Sequence, residues 1–262
     1  MRRLVALLLV VAALPFTARS GRAQDVSGLY QATAIVTGSD RRYRNVGFAR
    51  CLREVLVKVS GEPRLGRDPR VDRLAAEANM FIGSFTYVDQ MAGIKHKDDQ
   101  GTYDRPFDLT VRFVPALIDK ILADLGERPW PGARPAIVPV LTIRGYSTAY
   151  ALTAETPAGA DLRTSFAAIG RDFGMRVRFP AASEFDAAGA AGPSTGQSSP
   201  GDAVVAGTLV FERTLPGWVG AWQMRYGGVD YAWGIRGVNF DEAFRDVVRG
   251  VVRVASGHGA PD

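Results

Sequence analysis

Apolar side chains along this chain change spacing repeatedly, and each change marks an element. Leu29 to Val36 reads as a strand, closed by the turn residues Thr37-Gly38-Ser39-Asp40. Ala49, Leu52, Leu56 and Val59 then recur every three or four positions, which predicts a helix from about Arg44 to Ser60 with Gly61 as its stop. Asp68-Pro69 has the form of an N-cap followed by proline at the first helical position, opening a shorter helix towards Ala78. Strand character returns from Phe81 to Val88. The segment Lys95 to Arg105 is charged and without period, hence a solvated loop. Phe107, Leu109, Val111 and Phe113 alternate with polar partners, as a half-buried strand does, and Pro115 opens a helix that ends at Gly126. The first half is β-α-α-β-β-α.

Glu127 to Pro135 carries three prolines and a glycine, which marks a boundary, with Trp130 packed between the two halves. Beyond it, Ala136 to Ile143 is a near-continuous apolar strand of the kind buried on both faces. Leu162, Phe166, Ile169 and Phe173 mark a helix, Met175 to Phe179 a short strand, and Ser183 to Ala188 a helical turn. Residues 187–201 are low-complexity and too poor in large side chains to pack, so a mobile loop is expected there.

The last third is the most regular. Tyr226-Gly227-Gly228-Val229 predicts a two-residue hairpin loop, because both glycines accept positive φ. That loop sets Trp222 opposite Trp233, Met224 opposite Tyr231, Gly220 opposite Ile235 and Arg225 opposite Asp230. A preceding strand from Ala203 to Arg213, joined through Thr214 to Gly217, would set Leu209 opposite Trp222 and Phe211 opposite Gly220. The large apolar residues of all three strands then share one face, which argues for an antiparallel meander. Asn239 and Glu242 form a capping-box variant at the start of a helix whose Phe240, Phe244, Val247, Val248 and Val251 would cover that face. Residues from Gly257 onward read as a loose tail.

The beginning of the chain changes the charge balance. Arg2 and Arg3, the apolar run Leu4 to Leu14, Pro15, and small residues at Gly21 and Ala23 form a secretory signal, with the mature chain expected from Gln24. The run is too short to span a bilayer. No cysteine stands at the cleavage point, and the flanks of the two arginines are not those of a twin-arginine signal. Four of the 32 basic residues fall within 1–23, leaving 28 against 27 acidic ones. The basic excess therefore belongs to the targeting segment and gives no argument for nucleic acid.

Candidate chemistry is sparse. Cys51 is the single cysteine and sits beside Phe48 and Val55 on a helix, as a buried thiol. His96 and His258 are the two histidines, one in the charged loop and one in the tail, so no zinc-like spacing exists. Asp98, Asp99 and Asp104 lack the order of a calcium loop. Gly145-Tyr146-Ser147 follows a strand but lacks the helix, acid and histidine of a nucleophile elbow. Gly189, Gly192 and Gly196 have no phosphate-cradling spacing. Two surfaces can bind a partner. Trp218, Trp222, Tyr226, Tyr231 and Trp233 are either core beneath the last helix or an open face for sugar rings. Arg245, Arg249 and Arg253, at i, i+4 and i+8, are either a solvated stripe or a contact for an acidic partner or lipid headgroup.

With Leu52 to Gly61, Val111-Arg112-Phe113, Trp130 to Pro135, Gly201 to Leu209, Trp222 and Trp233 on the page, the chain resembles a proteobacterial envelope family, domain of unknown function number two thousand and sixty-six. The resemblance covers nearly all of the mature chain and implies a secreted, periplasmic protein. It carries no catalytic residues over. Pro139 departs from it, interrupting the apolar strand expected after Arg134-Pro135. The second half also resembles, in element order alone, the small α/β domains of envelope lipoproteins and of the Tol-system translocation protein.

The expected architecture is α+β or α/β in two mixed modules. A signal peptide occupies 1–23, an N-terminal α/β module 24–126, a Pro-rich linker 127–135, and a C-terminal α/β module 136–256 with a flexible 187–201 loop; a tail spans 257–262. The second module ends in the three-strand meander under its C-terminal helix. The expected function is a periplasmic, non-catalytic binding or envelope-assembly module acting on another envelope protein. The alternative is a glycan-binding or hydrolytic envelope protein using the aromatic hairpin around Trp222 and Trp233. No catalytic residue, cofactor, metal ligand or nucleic-acid contact is assigned, and the mature chain has no transmembrane segment. The interaction candidates are Trp218, Trp222, Trp233, Arg245, Arg249 and Arg253, the arginines also as a peripheral membrane contact.

Overall fold

A computed structural model describes residues 26–93, 105–191, 201–214 and 216–262. The segment 1–23 expected to be a signal peptide and most of the charged loop 95–105 lie outside the described residues. The fold is α+β, with two sheets, each backed by helices.

The first sheet has the order β1 (Gln31–Thr37), β3 (Pro106–Phe113), β2 (Ile82–Asp89), all antiparallel. Alternation decides which way each strand faces. Ala32, Ala34 and Val36 of β1 and Leu109, Val111 and Phe113 of β3 point inward, onto α1 (Arg41–Ser60). Cys51, Leu52, Val55 and Leu56 of α1 are fully buried against them. Burial pushes the Cys51 thiol up to about 12, so it is inert at neutral pH. Asp68 caps α2 (Pro69–Ala76) by accepting from Arg70 N, as the sequence predicts. α3 (Pro115–Asp124) closes the module.

The second sheet runs β5 (Ala149–Ala151), β4 (Ala136–Arg144), β7 (Asp202–Glu212), β8 (Gly217–Tyr226), β9 (Val229–Val238). β4 pairs in parallel with β7 and with β6 (Arg176–Val177), and its apolar run is buried on both faces. Pro139 does not break it. The carbonyls of Ile137 and Leu141 accept from Arg178 N and Leu152 N on the β6 and β5 side. Residue 139 points the same way, into the gap between those two short strands, so its missing N–H removes no ladder bond. α4 (Ala160–Asp172) and α6 (Phe240–Ser256) cover one face, with Phe166 and Phe244 stacked at 4.6 Å between them. No helix among the described residues is long and apolar enough to cross a membrane.

The β8–β9 hairpin has the predicted register at Trp222, Met224, Gly220 and Arg225, and Gly227 and Gly228 both have positive φ. The β7–β8 register differs from the expectation by two residues. Leu209 faces Gly220 and Gly207 faces Trp222. The cause is the bulk of the indole. A side chain at Gly207 would meet Trp222 Cε3 at 2.8 Å, and one at Gly220 would overlap the same ring. Trp222 therefore lies over two positions that have no Cβ. The two-residue shift keeps the same face inward, which is why the meander survives it.

Three smaller differences follow from local chemistry. The hairpin turn Gly145 to Thr148, closed by Gly145 N to Thr148 O at 2.8 Å, returns the chain as β5, which the sequence pattern missed. Ser147 thus sits in a hairpin rather than on a strand-to-helix elbow. α5 (Ala182–Ala191) is longer than the expected turn and takes in the start of the 187–201 stretch, whose residues 192–200 lie outside the described residues. The segment from Gly257 is not a loose tail. Arg253 donates to His258 O at 2.9 Å and Ala260 O at 3.0 Å, and His258 Nε2 lies 3.0 Å from Glu127.

Candidate functional site

The ends of α1, α4 and α6 converge on the linker, and the site is built around that joint. Helix ends leave orphan carbonyls, and here they are met by arginine. Arg134 of the linker is buried and donates to Lys58 O (2.6 Å), Val59 O (3.4 Å) and Phe173 O (3.2 Å). It also lies over the Trp130 ring at 4.4 Å. Burial pulls its pKa down to about 10, so it remains charged at neutral pH, held by carbonyls at two helix C-termini. Trp130 N donates to Val59 O at 2.8 Å, which places this residue between the modules as expected.

Beside the joint, Glu62 caps a 3-10 turn at Pro63–Arg67 by accepting from Arg64 N. Its carboxylate also takes Nη1 of the buried Arg253 at 2.8 and 3.0 Å. Between this turn, β9 and α6 runs a groove of about 390 Å³. Trp233, Ile235 and Val238 give it an apolar wall, and Arg64, Arg67 and Arg249 bring guanidinium groups to it. Trp233 is half-buried, its Nε1 3.4 Å from Asp246 O. A second cleft of about 250 Å³ continues past Arg67 and Arg249 to Arg245, Asp172 and Glu54. Burial raises the carboxyl pKa of Glu54 and Asp172 there, and Lys58 and Arg245 oppose the rise.

The six predicted interaction residues separate. Trp222 is 1% exposed, and its Nε1 donates to Asp246 at 3.0 Å, so it presents no ring to solvent. Trp218 is half-buried against Phe211, ring centres 5.4 Å apart, and does not line the groove. Trp233, Arg249 and Arg253 do line it. The arginine stripe is not a free surface. Arg245 pairs with Asp172 at 3.6 Å, Arg249 with Glu242 at 2.7 Å, and Arg253 is committed to Glu62 and the 257–262 backbone.

Sequence reasoning missed Arg64 and Arg67, which share no motif with α6. It also missed a grouping of Glu62, Glu127 and His258, whose ligand atoms lie within 4.8 Å of one another. Arg253 already neutralises Glu62, and a guanidinium beside the group opposes a cation by simple repulsion. Ser256 Oγ, His258 Nδ1 (2.7 Å) and Glu127 at Nε2 (3.0 Å) form a row of hydroxyl, imidazole and carboxylate. Ser256 Oγ also reaches Gly61 O at 2.9 Å and Arg253 O at 3.2 Å, so its single proton has backbone acceptors. The row ties α6 to the loop after α1.

Residues 23–131 match a family described as a domain of unknown function (DUF8605). The match covers the first module and ends inside the Pro-rich linker. Like the family resembled by sequence, this one has no assigned activity, but its number is different. No curated protein and no solved structure matches the chain.

Proposed function

We propose that the protein is exported to the periplasm and acts there as a non-catalytic binding module for another envelope protein, which it docks along the groove between its modules. The signal-like segment 1–23 supports the export. The observation that carries the binding reading is the groove itself, where Trp233 and two arginines of a 3-10 turn face one another across a module boundary. Aromatic and arginine side chains around a concave surface are the residue types that dominate binding energies.

Two measurements test it. The periplasmic fraction should contain a chain starting at Gln24, and a stable unprocessed chain in the cytosol would remove the export half. A photo-crosslinking residue at Ile235 in the groove wall should capture a discrete envelope protein, while one at the exposed Asp186 on α5 should not. Equal capture from both positions, or none from either, counts against the groove.

A further inference from the structure

We infer that the groove is a carboxylate-recognition site for an acidic, proline- or alanine-flanked segment of a protein partner, and that Asp262 of the chain itself stands in it as a weak internal competitor. The inference rests on the groove being the binding surface and adds the chemistry of what it binds.

The 3-10 geometry supplies the first argument. Side chains three positions apart eclipse one another in such a turn, so Arg64 and Arg67 leave it on the same side. Both line the groove. Arg64 is filled: its Nε and Nη2 reach the two carboxylate oxygens of Asp262, a two-pronged fit suited to a planar guanidinium. Arg67 is exposed, and no ion pair to it occurs among the described residues. One of two parallel forks is therefore occupied by an internal carboxylate while the other stands open.

The second argument is the field that Asp262 experiences. Its carboxyl is held below the usual range, first by the hydrogen bond from Arg64, with Arg253 and Arg249 adding to it. Three arginines from two modules thus act on one carboxylate. The third argument is the route of the segment. Arg253 fixes it through His258 O and Ala260 O, which delivers Pro261 and Asp262 to the groove beside the apolar wall of Trp233 and Val238. An acidic residue next to a small apolar one is what that surface already holds. The Arg64–Asp262 pair is exposed on both sides, so it is easily exchanged for a ligand from outside.

The experiment uses the full chain and a fluorescein-labelled, C-terminally amidated peptide His-Gly-Ala-Pro-Asp, whose one peptide carboxylate is the aspartate side chain, read by anisotropy. Asp262→Ala should bind the peptide about three- to fivefold more tightly than the native chain, the scale set by losing one exposed ion pair. Adding Arg64→Ala and Arg67→Ala should abolish that binding, as should 0.5 M salt (on the order of a few ångströms of screening length) or asparagine in place of the peptide's aspartate. Arg64 and Arg67 are both exposed, so these variants keep the fold, and an unchanged melting curve verifies it. Equal affinity in native and Asp262→Ala chains overturns the competitor. Binding that survives loss of both arginines overturns the site. If a crosslinker at Ile235 captures an envelope protein whose capture ignores Asp262→Ala and salt, the carboxylate chemistry falls while the docking reading stands. If the peptide behaves as expected and no envelope protein is captured, the chemistry stands and the docking reading falls.

Discussion

Arg253 and Glu62 lie 191 positions apart and form a buried ion pair, with Nη1 at 2.8 and 3.0 Å from the two carboxylate oxygens. Each partner does a second task. Glu62 caps the 3-10 turn that carries Arg64 and Arg67, and Arg253 holds the backbone of His258 and Ala260. Removing either partner should leave a buried charge without its counterpart, at about 3–5 kcal/mol. Glu62→Gln and Arg253→Met, measured by urea unfolding, should each destabilise the chain by that order, and the double variant should lose less than the sum. Additive losses would mean that the two groups do not act as a pair.

Trp222 and Trp218 should respond differently to truncation. Trp222→Ala empties a buried site beneath α6 and should lose about 3–5 kcal/mol. Trp218→Ala, at a half-buried position, should lose clearly less. Gly220→Ala should destabilise as well, by about 1–3 kcal/mol or more, because the new methyl enters the space of the Trp222 ring. Similar losses for the two tryptophans in thermal unfolding would contradict this assignment of the core.

Arg134 is expected to be irreplaceable by an apolar residue of similar size. Arg134→Leu leaves carbonyls at the ends of α1 and α4 without a donor, and about 2–4 kcal/mol of stability should be lost. Arg134→Lys keeps the charge but cannot reach three carbonyls at once, so it should fall between leucine and the native residue. A leucine variant as stable as the native chain would show that water satisfies those carbonyls.

Asp246 gives the chain a pH dependence of definite sign. Burial raises its pKa above the ordinary 3.8, against the opposing effects of the Trp222 hydrogen bond and Arg249. The folded state then keeps this proton at pH values where the unfolded chain has released it. Its contribution is most favourable below the ordinary value and declines as pH rises through the raised one. Asp246→Asn should remove that decline while keeping an acceptor for Trp222. Urea unfolding at pH 4 and pH 7 should show the variant gaining on the native chain as pH rises. A constant difference between the two pH values would exclude the effect.

Much of the fold was legible because local chemistry and global pattern agree in it. Gly227-Gly228 sets the β8–β9 register, Asp68-Pro69 sets the start of α2, and the unbroken apolar run of β4 marks a strand covered on both faces. The β7–β8 register was not legible, because two registers bury the same face and only the fit of an indole over Gly207 and Gly220 separates them. The site was legible in part. Trp233, Arg249 and Arg253 stand in regular elements whose faces can be read. Arg64 and Arg67 acquire meaning only through α6, far along the chain, and no spacing in the sequence records that meeting. Trp222 was ambiguous for the same reason, since aromatic composition is the same for a core and for a platform.

The position of Arg253 near the end of α6 has a consequence for the order of assembly. Glu62 belongs to the first half and Arg253 to the end of the second, so the first sheet can close while the partner is still unplaced. Until α6 arrives, Glu62 remains hydrated and the Pro63–Arg67 turn lacks its anchor. The ion pair therefore holds the turn only in a chain whose second half has folded and packed against the first.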